Sequence, residues 1–585
     1  MKTGNFKHMH NLRFRYPIHL FVVLAILLST RPMYGQTCDP TPCGGTCITG
    51  TFTAGTTVTW SSPYYCISSD LIVKKDAGGT PGNLTITAGV CVAISPGIKI
   101  LVKDGCSLTI NGAALYCSST TALWQGIVVE GGGTVTVNNA SVIADAVEGI
   151  HAQNGTVESD LEIYGGNIFC NNETGIYLNT YTGATVMNTT IKDTHFTAPA
   201  LNTGSNGKYA IVVYQVGDAG NLLIGDGLYY TAVTPSYNEI DNYCIGIKAY
   251  KSYLTVENNY IHDLLATGDV GLDPPQTGIA VKGVSGTDYE LIVGHDDVLP
   301  DLYNKIYNCR VGIYCKQHVN LIAYSNEIGG AVASTDATWV MEEGIHIENN
   351  CNKIEIEKNQ IYNFDLYGIY ESNNNGSALN RIVLNTIEET AIYTDDINPY
   401  GIFVQEDVAV VDNLLIQRNT MHDLQTCIYV QNVNEAVIEG NDLHFLQYDV
   451  MLWAYGVRLF QCEDPKVKGN FSTHDTWVPL GTPLRSFLLE DCPVAMVSEN
   501  HAQYVNGGIV VKGNNSDDAN FWCNQLDNAW HGFHFWNVGG TPTSAPIAGI
   551  VENGLLSGYP SDNYFFPEET DYQLWINGSD LSAVD

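Results

Sequence analysis

The stretch VENNYIHD, residues 256–263, recurs in outline further along the chain. IEIEKNQIYN (354–363) and LIQRNTMHD (415–423) share its order: apolar and polar residues alternate, an Asn follows, and an apolar residue stands two places after the Asn. Alternation with a period of two, in segments rich in Val, Ile and Tyr, is typical of short β-strands. The repeated phrase therefore predicts a chain built from many short strands.

Each copy carries an Asn at the same place and a small residue eight or nine positions later. A large apolar residue follows the small one in most copies, as in IGIKAY (245–250), VGIYCK (311–316) and YGIYES (367–372). The Asn residues of the copies are Asn238, Asn259, Asn304, Asn359, Asn419, Asn500 and Asn524. Neighbouring copies often lie 21 to 34 residues apart, and a period of twenty-odd residues indicates a repeat architecture.

One repeat holds two or three short strands and cannot bury its own apolar face, so repeats must stack. If each strand pairs with its equivalent in the next coil, the alternating apolar residues are buried and the backbone groups are hydrogen-bonded. The result is an all-β parallel β-helix. We expect the Asn side chains to lie at bends and to form a structural ladder from coil to coil, rather than to bind a ligand. The small residue before the apolar one predicts a second sharp bend.

The N-terminus has the pattern of a signal peptide over residues 1–35. Basic residues such as Lys2 and Arg13 precede an apolar run at 20–28, which is too short to span a membrane. This predicts a secreted or extracellular protein.

The chain has a net charge of −36. Without residues 1–35 it would keep 21 basic and 62 acidic residues, a net charge of −41. Such acidity argues against nucleic acid, anionic membranes and strongly anionic polysaccharides as partners, and it suits divalent cations.

Seven of the sixteen Cys residues fall in the first 120 positions: Cys38, Cys43, Cys47, Cys66, Cys91, Cys106 and Cys117. In an exported chain this density predicts a disulfide-rich N-terminal cap, with pairings that the sequence leaves open. A zinc site is the weaker alternative, because CDPTPCGGTC has no Cys-x-x-Cys pair.

The NxIxN…GIY copies, over about 125–540, resemble the right-handed parallel β-helix superfamily, which includes pectate lyases, polygalacturonases, phage tailspikes and bacterial surface proteins. Residues 82–133 look like the entry coils of secreted bacterial surface proteins of this kind. The resemblance implies a right-handed, single-stranded solenoid and an extracellular or cell-surface location in a bacterium. It does not imply one activity, because the fold hosts many.

The catalytic motifs of the two best-known enzyme families are absent from the sequence. There is no GHG or RIK stretch like those of polygalacturonases and no RxPxxR-like stretch like that of pectate lyases. The absence favours a non-catalytic protein and leaves other polysaccharide-cleaving families open.

Basic residues are scarce, so the local group of Lys305, Arg310, Lys316 and His318 is the best lyase-like patch. A lyase needs a cation near the substrate carboxylate and a base at the α-carbon. Charge compensation on an acidic surface is the alternative.

Paired acids are candidates for hydrolysis or for a Ca²⁺ site, although solvated loops would carry the same residues. Adjacent strand residues point to opposite faces, so a sequence pair is seldom a catalytic pair. The pairs are Asp296 with Asp297, Glu342 with Glu343, and Asp395 with Asp396. No cofactor is predicted to be required, and Ca²⁺ is possible.

Trp522, Trp530 and Trp536 lie in the aromatic stretch 520–537, where they could stack on sugars, pack in the core or cap the open end of the coils. His262–Asp263 and His422–Asp423 occupy equivalent repeat positions. These His–Asp pairs could bind a metal or transfer protons, but other copies have Tyr and Asn there, which favours a solvated bend.

The sequence divides into a signal peptide (1–35), a Cys- and Thr-rich cap (36–80), β-helix repeats (81–540) and a C-terminal cap or the start of a further region (541–585). Insertions are predicted near 264–300 and 445–495. The favoured hypothesis is a secreted or surface-displayed, non-catalytic protein for adhesion, surface structure or glycan contact, as a monomer or as part of a larger surface protein. The alternative is a polysaccharide lyase or glycoside hydrolase.

Overall fold

The computed structural model describes most of the chain beyond residue 56 and two residues before it. The described residues are 47–48, 57–153, 159–179, 189–199, 201, 203–205, 207–216, 222–226, 237–265, 274–296, 304–330, 341–374, 379–389, 399–411, 413–445, 453–474, 484–513, 520–536, 564–565 and 572–577. All of them belong to the compact unit Pro42–Asp585. Every regular element within these ranges is a β-strand.

The strands are arranged in coils of three, and each strand pairs in parallel with the equivalent strand of the next coil. The pairing produces three stacks of strands, which we call face 1, face 2 and face 3. Two long strands, His501–Lys512 and Gln525–Trp536, turn the corner and belong to both face 1 and face 2. The fold is therefore the predicted parallel β-helix.

Face 1 contains the strands that, from Asn238 to Phe471–Thr473, begin at or just after a recurrent Asn, and the strands that precede and follow these in the same stack. They are Cys47–Ile48, Tyr64–Ile67, Cys91–Ile94, Ala114–Cys117, Val142–Ala144, Asn167–Cys170, Thr194–Thr197, Asn238–Asp241, Asn259–His262, Lys305–Tyr307, Glu327–Gly329, Gln360–Tyr362, Thr386–Glu388, Thr420–Leu424, Asp442–Phe445, Phe471–Thr473 and Tyr564–Phe565.

Face 2 contains the strands of the Gly-Ile copies. They are Leu71–Val73, Lys99–Val102, Trp124–Val129, Ala146–Gln153, Thr174–Asn179, Gly207–Tyr214, Tyr243–Tyr250, Thr277–Lys282, Val311–Lys316, Met341–Glu348, Phe364–Ser372, Tyr400–Val411, Thr426–Asn434, Ala454–Phe460, Leu484–Glu490 and Tyr572–Asn577.

Face 3 contains short strands with regular alternation of buried and exposed residues. They are Thr57–Trp60, Asn83–Ile86, Ser107–Asn111, Thr134–Asn138, Asp160–Ile163, Thr190–Ile191, Leu222–Gly225, Leu254–Glu257, Tyr289–Gly294, Val319–Tyr324, Lys353–Glu357, Leu379–Val383, Leu414–Gln417, Val437–Glu439, Lys466–Lys468, Met496–Ser498 and Asn520–Trp522.

Equivalent residues of successive coils lie directly above one another, so the core consists of columns of like side chains. On face 1 one column runs through Ile240, Ile261, Ile306, Ile328 and Ile361, each at most 1% exposed. Side chains on either side of these residues point outward, because successive residues of a strand alternate between its two faces. The apolar residue two places after each Asn therefore packs in the core.

The recurrent Asn residues form a continuous hydrogen-bonded row at the bend that leads into face 1. In each step the side-chain amide Nδ2 donates to the Oδ1 of the next Asn over 2.8–3.1 Å. The row, which we call the asparagine ladder, contains Asn238, Asn259, Asn304, Asn326, Asn359, Asn385, Asn419, Asn441, Asn470, Asn500 and Asn524. Every member is at most 2% exposed. Asn326, Asn385, Asn441 and Asn470 were not among the seven predicted ladder residues, although each stands two places before an apolar or small core residue.

The face 2 strands carry a glycine before the buried Ile in most coils. Close packing, rather than the backbone conformation alone, explains why glycine is needed there. Gly344 and Gly368 do not have a left-handed backbone conformation, so a positive φ is not what requires glycine at these two positions. A Cβ on Gly344 would lie 2.5 Å from the Gly368 carbonyl oxygen and 2.6 Å from Cγ2 of Ile361. Glycine is required because the next coil and the face 1 isoleucine approach too closely for any side chain.

Two of the N-terminal cysteines are not part of the predicted disulfide cap. Cys106 and Cys117 are buried free thiols. Both side chains lie within the hydrophobic core cluster, where a free Cys behaves as a small apolar residue. Cys66 and Cys91 are disulfide-bonded. Their pairings, and the disulfides of Cys38, Cys43 and Cys47, stay a prediction.

Regular strands occur inside several segments that the sequence analysis set apart. The predicted insertion at 264–300 contains Thr277–Lys282 and Tyr289–Gly294, which continue face 2 and face 3. The predicted insertion at 445–495 contains four strands, from Ala454–Phe460 to Leu484–Glu490. Strands in 36–80 and 541–585 also pair with the coils beside them. The predicted signal peptide lies outside the described residues.

No helix within the described ranges has the length and apolarity needed to cross a bilayer.

Replacing Asn359 by Ala should destabilise the protein. The backbone N and the Nδ2 of Asn326 would lose their shared acceptor, Oδ1 of Asn359, which lies 3.0 and 2.9 Å away. Buried donors left without a partner cost about 1–3 kcal/mol. The midpoint of urea unfolding should therefore fall. Gln360→Ala is the control, because this neighbouring side chain is exposed. An unchanged midpoint for Asn359→Ala would show that the ladder does not stabilise the fold.

Candidate functional site

A cavity of ≈ 300 Å³ opens on the outer side of face 2, between the strands Val311–Lys316 and Met341–Glu348. Its lining residues combine a cation, two carboxylates, an imidazole and a phenol. They are Pro274, Arg310, Val311, Tyr314, Glu342, Glu343 and His346. Such a mixture of apolar wall and converging polar groups is typical of a ligand site.

Two adjacent glutamates face the same cavity because the strand is irregular where it begins. The backbone N–H groups of Glu342 and Glu343 both donate to the carbonyl oxygen of Arg310, at 2.8 and 3.1 Å. The pairing with the following strand also shifts register between Met341 and Glu343. This β-bulge turns two successive side chains to one side. The expectation that adjacent acids point to opposite faces is therefore wrong at this position.

Arg310 closes one side of the cavity through an ion pair across two coils. Its Nε donates to Oε2 of Glu342 over 2.7 Å. The two side chains are 41% and 37% exposed, so solvent screens the pair and a ligand can reach the guanidinium. A guanidinium in this position can donate to a sugar hydroxyl or to a carboxylate.

His346 lies at the centre of the site between two carboxylates. Its Nδ1 donates to Oε2 of Glu343, and its Nε2 lies 3.9 Å from Oε2 of Glu348. The Nε2 atom is buried and has no hydrogen-bond partner among the described residues. Burial favours the neutral ring, but the hydrogen bond with Glu343 and the nearby carboxylate of Glu348 outweigh it and raise the pKa of His346.

Glu348 is the acceptor of a second group of donors beside the cavity. The Tyr314 hydroxyl donates to its Oε1 over 2.5 Å, and Nζ of Lys316 lies 2.5 Å from the same atom. The imidazole of His346 beside it has the largest effect and lowers the pKa of Glu348 well below its usual range. Burial opposes this shift, and Lys316 and Tyr314 add to it. This carboxylate therefore stays ionised at any ordinary pH.

A row of aromatic rings runs away from the cavity along the next coils of face 2. The rings of Tyr314, His346, Tyr370, Phe403 and Tyr429 follow each other with centroids 4.6–5.5 Å apart. These residues are direct partners in the pairing of successive strands, so their side chains form one column on the outer side of face 2. The contacts are within the range of favourable aromatic pairs, so each ring packs against the next.

A second column beside the first one adds half-buried tyrosines. Tyr367 and Tyr400 lie one coil apart with ring centroids at 5.6 Å, and both contact Phe403. Burial raises the pKa of Tyr367 and of Tyr429 to about 12, so both phenols stay neutral hydrogen-bond donors. We call these residues and the first column the aromatic row.

Arginines follow the aromatic row on the same face. The guanidinium of Arg458 lies over the rings of Tyr429 and Tyr455, 5.3 and 5.2 Å from their centroids. Arg485 lies 3.9 Å from the centroid of the Trp453 ring, which is 44% exposed. Tyr429, Tyr455 and Arg485 are buried in these contacts, so Trp453 and Arg458 are the parts of this arrangement that reach solvent.

The structure separates the predicted basic patch. Arg310 and Lys316 belong to the cavity region of face 2. Lys305 lies on face 1, where its Nζ is 3.4 Å from Oε2 of Glu327. His318 lies beyond the end of the Val311–Lys316 strand, with Nδ1 3.6 Å from Oδ1 of Asp288. Two of the four residues therefore share a site.

The other predicted candidates do not join this cavity. Asp296 is exposed and pairs with Nζ of Lys358 at 2.9 Å. Asp297, Asp395 and Asp396 lie outside the described residues. Trp522 is half-buried on the face 3 strand Asn520–Trp522, while the side chains of Trp530 and Trp536 lie outside the described part of the structure.

Sequence reasoning missed Tyr314, His346 and the aromatic row, although a signal for them exists. The copies GIY, GIH, GIF and CIY all carry the ring at their third position, at Tyr314, His346, Phe403 and Tyr429 among others. In a strand that alternates, this position is outward when the preceding Ile is buried.

The comparisons with known proteins agree with this architecture. Residues 343–541 match the family model described as the right handed beta helix region. Together with the coils described above, this match defines the chain as a right-handed parallel β-helix protein. No curated protein matches the chain.

Particular solved structures are similar at low identity. The crystal structure of the Dettilon tailspike protein (gp208) is 12% identical, with a TM-score of 0.25, over 72% of this chain and 60% of its own. The periplasmic alginate epimerase AlgG is 11% identical, with a TM-score of 0.21, over 78% and 77%. The AlgE4 A-module, an Azotobacter vinelandii mannuronan C-5 epimerase, is 10% identical, with a TM-score of 0.15, over 84% and 91%. These values carry no argument about activity.

The raised pKa of His346 predicts a pH-dependent contribution to stability. A group with a raised folded pKa stabilises fully below its unfolded pKa and loses that effect as the pH rises through the folded pKa. The loss of unfolding free energy caused by His346→Gln should therefore be larger at about pH 6 than at about pH 10. Urea unfolding at both pH values measures it.

Glu343→Gln provides the control background for this experiment. Without the Glu343 carboxylate, His346→Gln should show a smaller dependence on pH. An equal loss at both pH values in the otherwise unchanged protein would contradict the ion pairs at His346.

Proposed function

We propose that this protein is a secreted, non-catalytic β-helix that binds a glycan chain along face 2. One observation carries the proposal: a cavity with converging polar groups adjoins an aromatic row built on rigid, stacked coils. Rings supply apolar contact to sugar faces, and fixed donors and acceptors select among hydroxyl groups. Strands hold every lining residue of the cavity except Pro274 and Arg310. Little ordering of side chains is therefore needed on binding.

The charges of the site favour a neutral glycan over a polyanion. Arg310 and Lys316 are each matched by a glutamate, Glu342 and Glu348, within 2.7 Å. The chain as a whole has a net charge of −36. A polyuronate or sulfated chain would therefore meet no excess of positive charge and a repulsive field around the site.

The arrangement of the titratable groups supports binding rather than cleavage. Glu343, Glu348 and Lys316 are engaged in short contacts inside the site. A general acid or base needs to reach the reacting group, and these contacts would compete with that.

A polysaccharide-cleaving enzyme is the second candidate function, and one atom favours it. Nε2 of His346 is buried beside the cavity without a hydrogen-bond partner among the described residues. With Glu343 on its other nitrogen, this imidazole has the arrangement of an oriented acid–base group. In this alternative Arg310 would hold a substrate carboxylate or oxyanion.

Several wider properties belong to the same proposal. The N-terminal pattern of residues 1–35 supports export. We propose that the protein acts as a monomer or as part of a larger surface protein, that its partner is a polysaccharide or cell-surface glycan, and that binding requires no cofactor. Ca²⁺ at an acidic loop stays a prediction.

Replacing Tyr367 and Tyr400 together by Ala should weaken glycan binding about tenfold, which corresponds to about 1.4 kcal/mol. Affinity electrophoresis through gels that contain neutral or acidic polysaccharides identifies a ligand, and calorimetry with its oligosaccharides gives Kd. Tyr164→Ala is the matched control, because this tyrosine is 38% exposed and follows a face 3 strand. Equal affinity of the double variant and the Tyr164→Ala protein would show that the aromatic row is not the binding surface.

The same polysaccharides separate the two candidate functions. The non-catalytic protein should release no reducing ends and no unsaturated products from any polysaccharide that it binds. If product forms, and His346→Gln abolishes it while glycan affinity is kept, the protein is an enzyme. Absence of binding to a broad panel by folded protein would remove the glycan proposal.

A further inference from the structure

A cluster of imidazole and carboxylate groups lies on the outer side of face 1, away from the site on face 2. His195, Glu239 and Asp241 bring one ligand atom each to within 4.8 Å of one another. Two residues, His195 and Asp241, lie diagonally across neighbouring strands, with Nε2 and Oδ2 2.9 Å apart. Strand pairing thus joins residues that are 46 positions apart in the sequence.

A fourth group approaches from the next coil. Nε2 of His262 lies 3.3 Å from Oε1 of Glu239, again along a diagonal between paired strands. Three successive coils therefore supply two imidazole nitrogens and two carboxylates: His195 from the first, Glu239 and Asp241 from the second, and His262 from the third.

The spacing fits a small divalent ion. Ligand atoms about 2.1 Å from a tetrahedral Zn²⁺ lie about 3.4 Å from each other. The two diagonal contacts, 2.9 Å and 3.3 Å, are close to this value, and the ligand atoms of His195, Glu239 and Asp241 all lie within 4.8 Å of one another. Imidazole with carboxylate is a donor set for Zn²⁺ and its transition-metal neighbours, whereas Ca²⁺ prefers oxygen ligands alone.

Hydrogen bonds outside the four groups hold them in orientation. Nδ1 of His262 donates to Oδ2 of Asp263 over 2.8 Å, and this leaves Nε2 directed at Glu239. Oδ1 of Asp263 in turn accepts from Nδ2 of Asn308 over 2.7 Å. A carboxylate on the far nitrogen of an imidazole is the usual support of a metal-binding histidine. Oδ1 of Asp241 accepts in the same way from Nδ2 of Asn242, at 2.6 Å.

Access and shielding are both present. The side chains of His195 and Glu239 are 32% and 34% exposed, while those of Asp241 and His262 are 12% and 13% exposed. The ring of Tyr260 packs against His262 with centroids 4.1 Å apart and covers one side. An ion can enter from solvent and still have partly buried ligands.

We propose that His195, Glu239, Asp241 and His262 form a binding site for one divalent transition-metal ion, with Zn²⁺ as the best match. The ion would join three coils of face 1 by a cross-link that does not involve the asparagine ladder. The site is independent of the glycan surface.

The test uses the purified, untagged full chain after removal of metal with a chelator. Calorimetric titration with Zn²⁺ should show one bound equivalent, and Asp241→Asn and His262→Gln should each weaken binding at least about tenfold. His422→Gln is the matched control, because His422 occupies the same outward column as His262 several coils later. Its affinity should equal that of the unchanged protein.

Two further measurements keep the result decisive. Unfolding temperatures measured without metal establish that each variant folds. If Asp241→Asn or His262→Gln does not fold, His195→Gln takes its place, because His195 is the more exposed of the two histidines. Titration with Co²⁺ should give visible absorption bands of imidazole and carboxylate ligation, which the variants lose. Absence of stoichiometric Zn²⁺ binding, or binding that Asp241→Asn, His262→Gln and His195→Gln leave unchanged, overturns the proposal.

Discussion

Parallel pairing of each strand with its equivalent in the next coil is the constraint on which the rest of this structure depends. It fixes the distance between coils at about 4.8 Å and places like positions above one another. At a buried bend, the same backbone and side-chain donors then need a hydrogen-bond partner in every coil. The asparagine ladder supplies these partners with one residue type. Close approach of the coils likewise demands glycine on face 2, as at Gly344 and Gly368.

The same constraint explains what could be predicted from the sequence. Core and bend positions recur because each coil imposes the same packing, so the repeat predicted the strands, the inward isoleucines and seven ladder residues. Outward positions carry no such requirement. Lys305 and Arg310 are five positions apart in sequence but lie on different sides of a bend at Asn308. The φ of Asn308 is 50°, in the left-handed region. Arg310 and Glu342, 32 positions apart, form an ion pair.

In this architecture, side chains that lie close together on the surface come from equivalent positions of successive coils rather than from neighbouring positions in the sequence. The β-bulge at Glu342 and Glu343 is a second reason why sequence reasoning was incomplete, since one inserted residue changes the direction of a neighbouring side chain. The rings of the aromatic row stack between adjacent coils, so the same contacts stabilise the coils and fix the positions of the rings.

The asparagine ladder also has an electrostatic polarity. Every amide from Asn238 to Asn500 donates toward the next coil, so the side-chain dipoles point the same way and add along the row. The carbonyl end is at Asn238, whose buried Oδ1 accepts no hydrogen bond from the described residues. The row thus resembles a helix macrodipole made of side chains. Its negative pole lies in the coil of Glu239 and Asp241, where it favours positive charge.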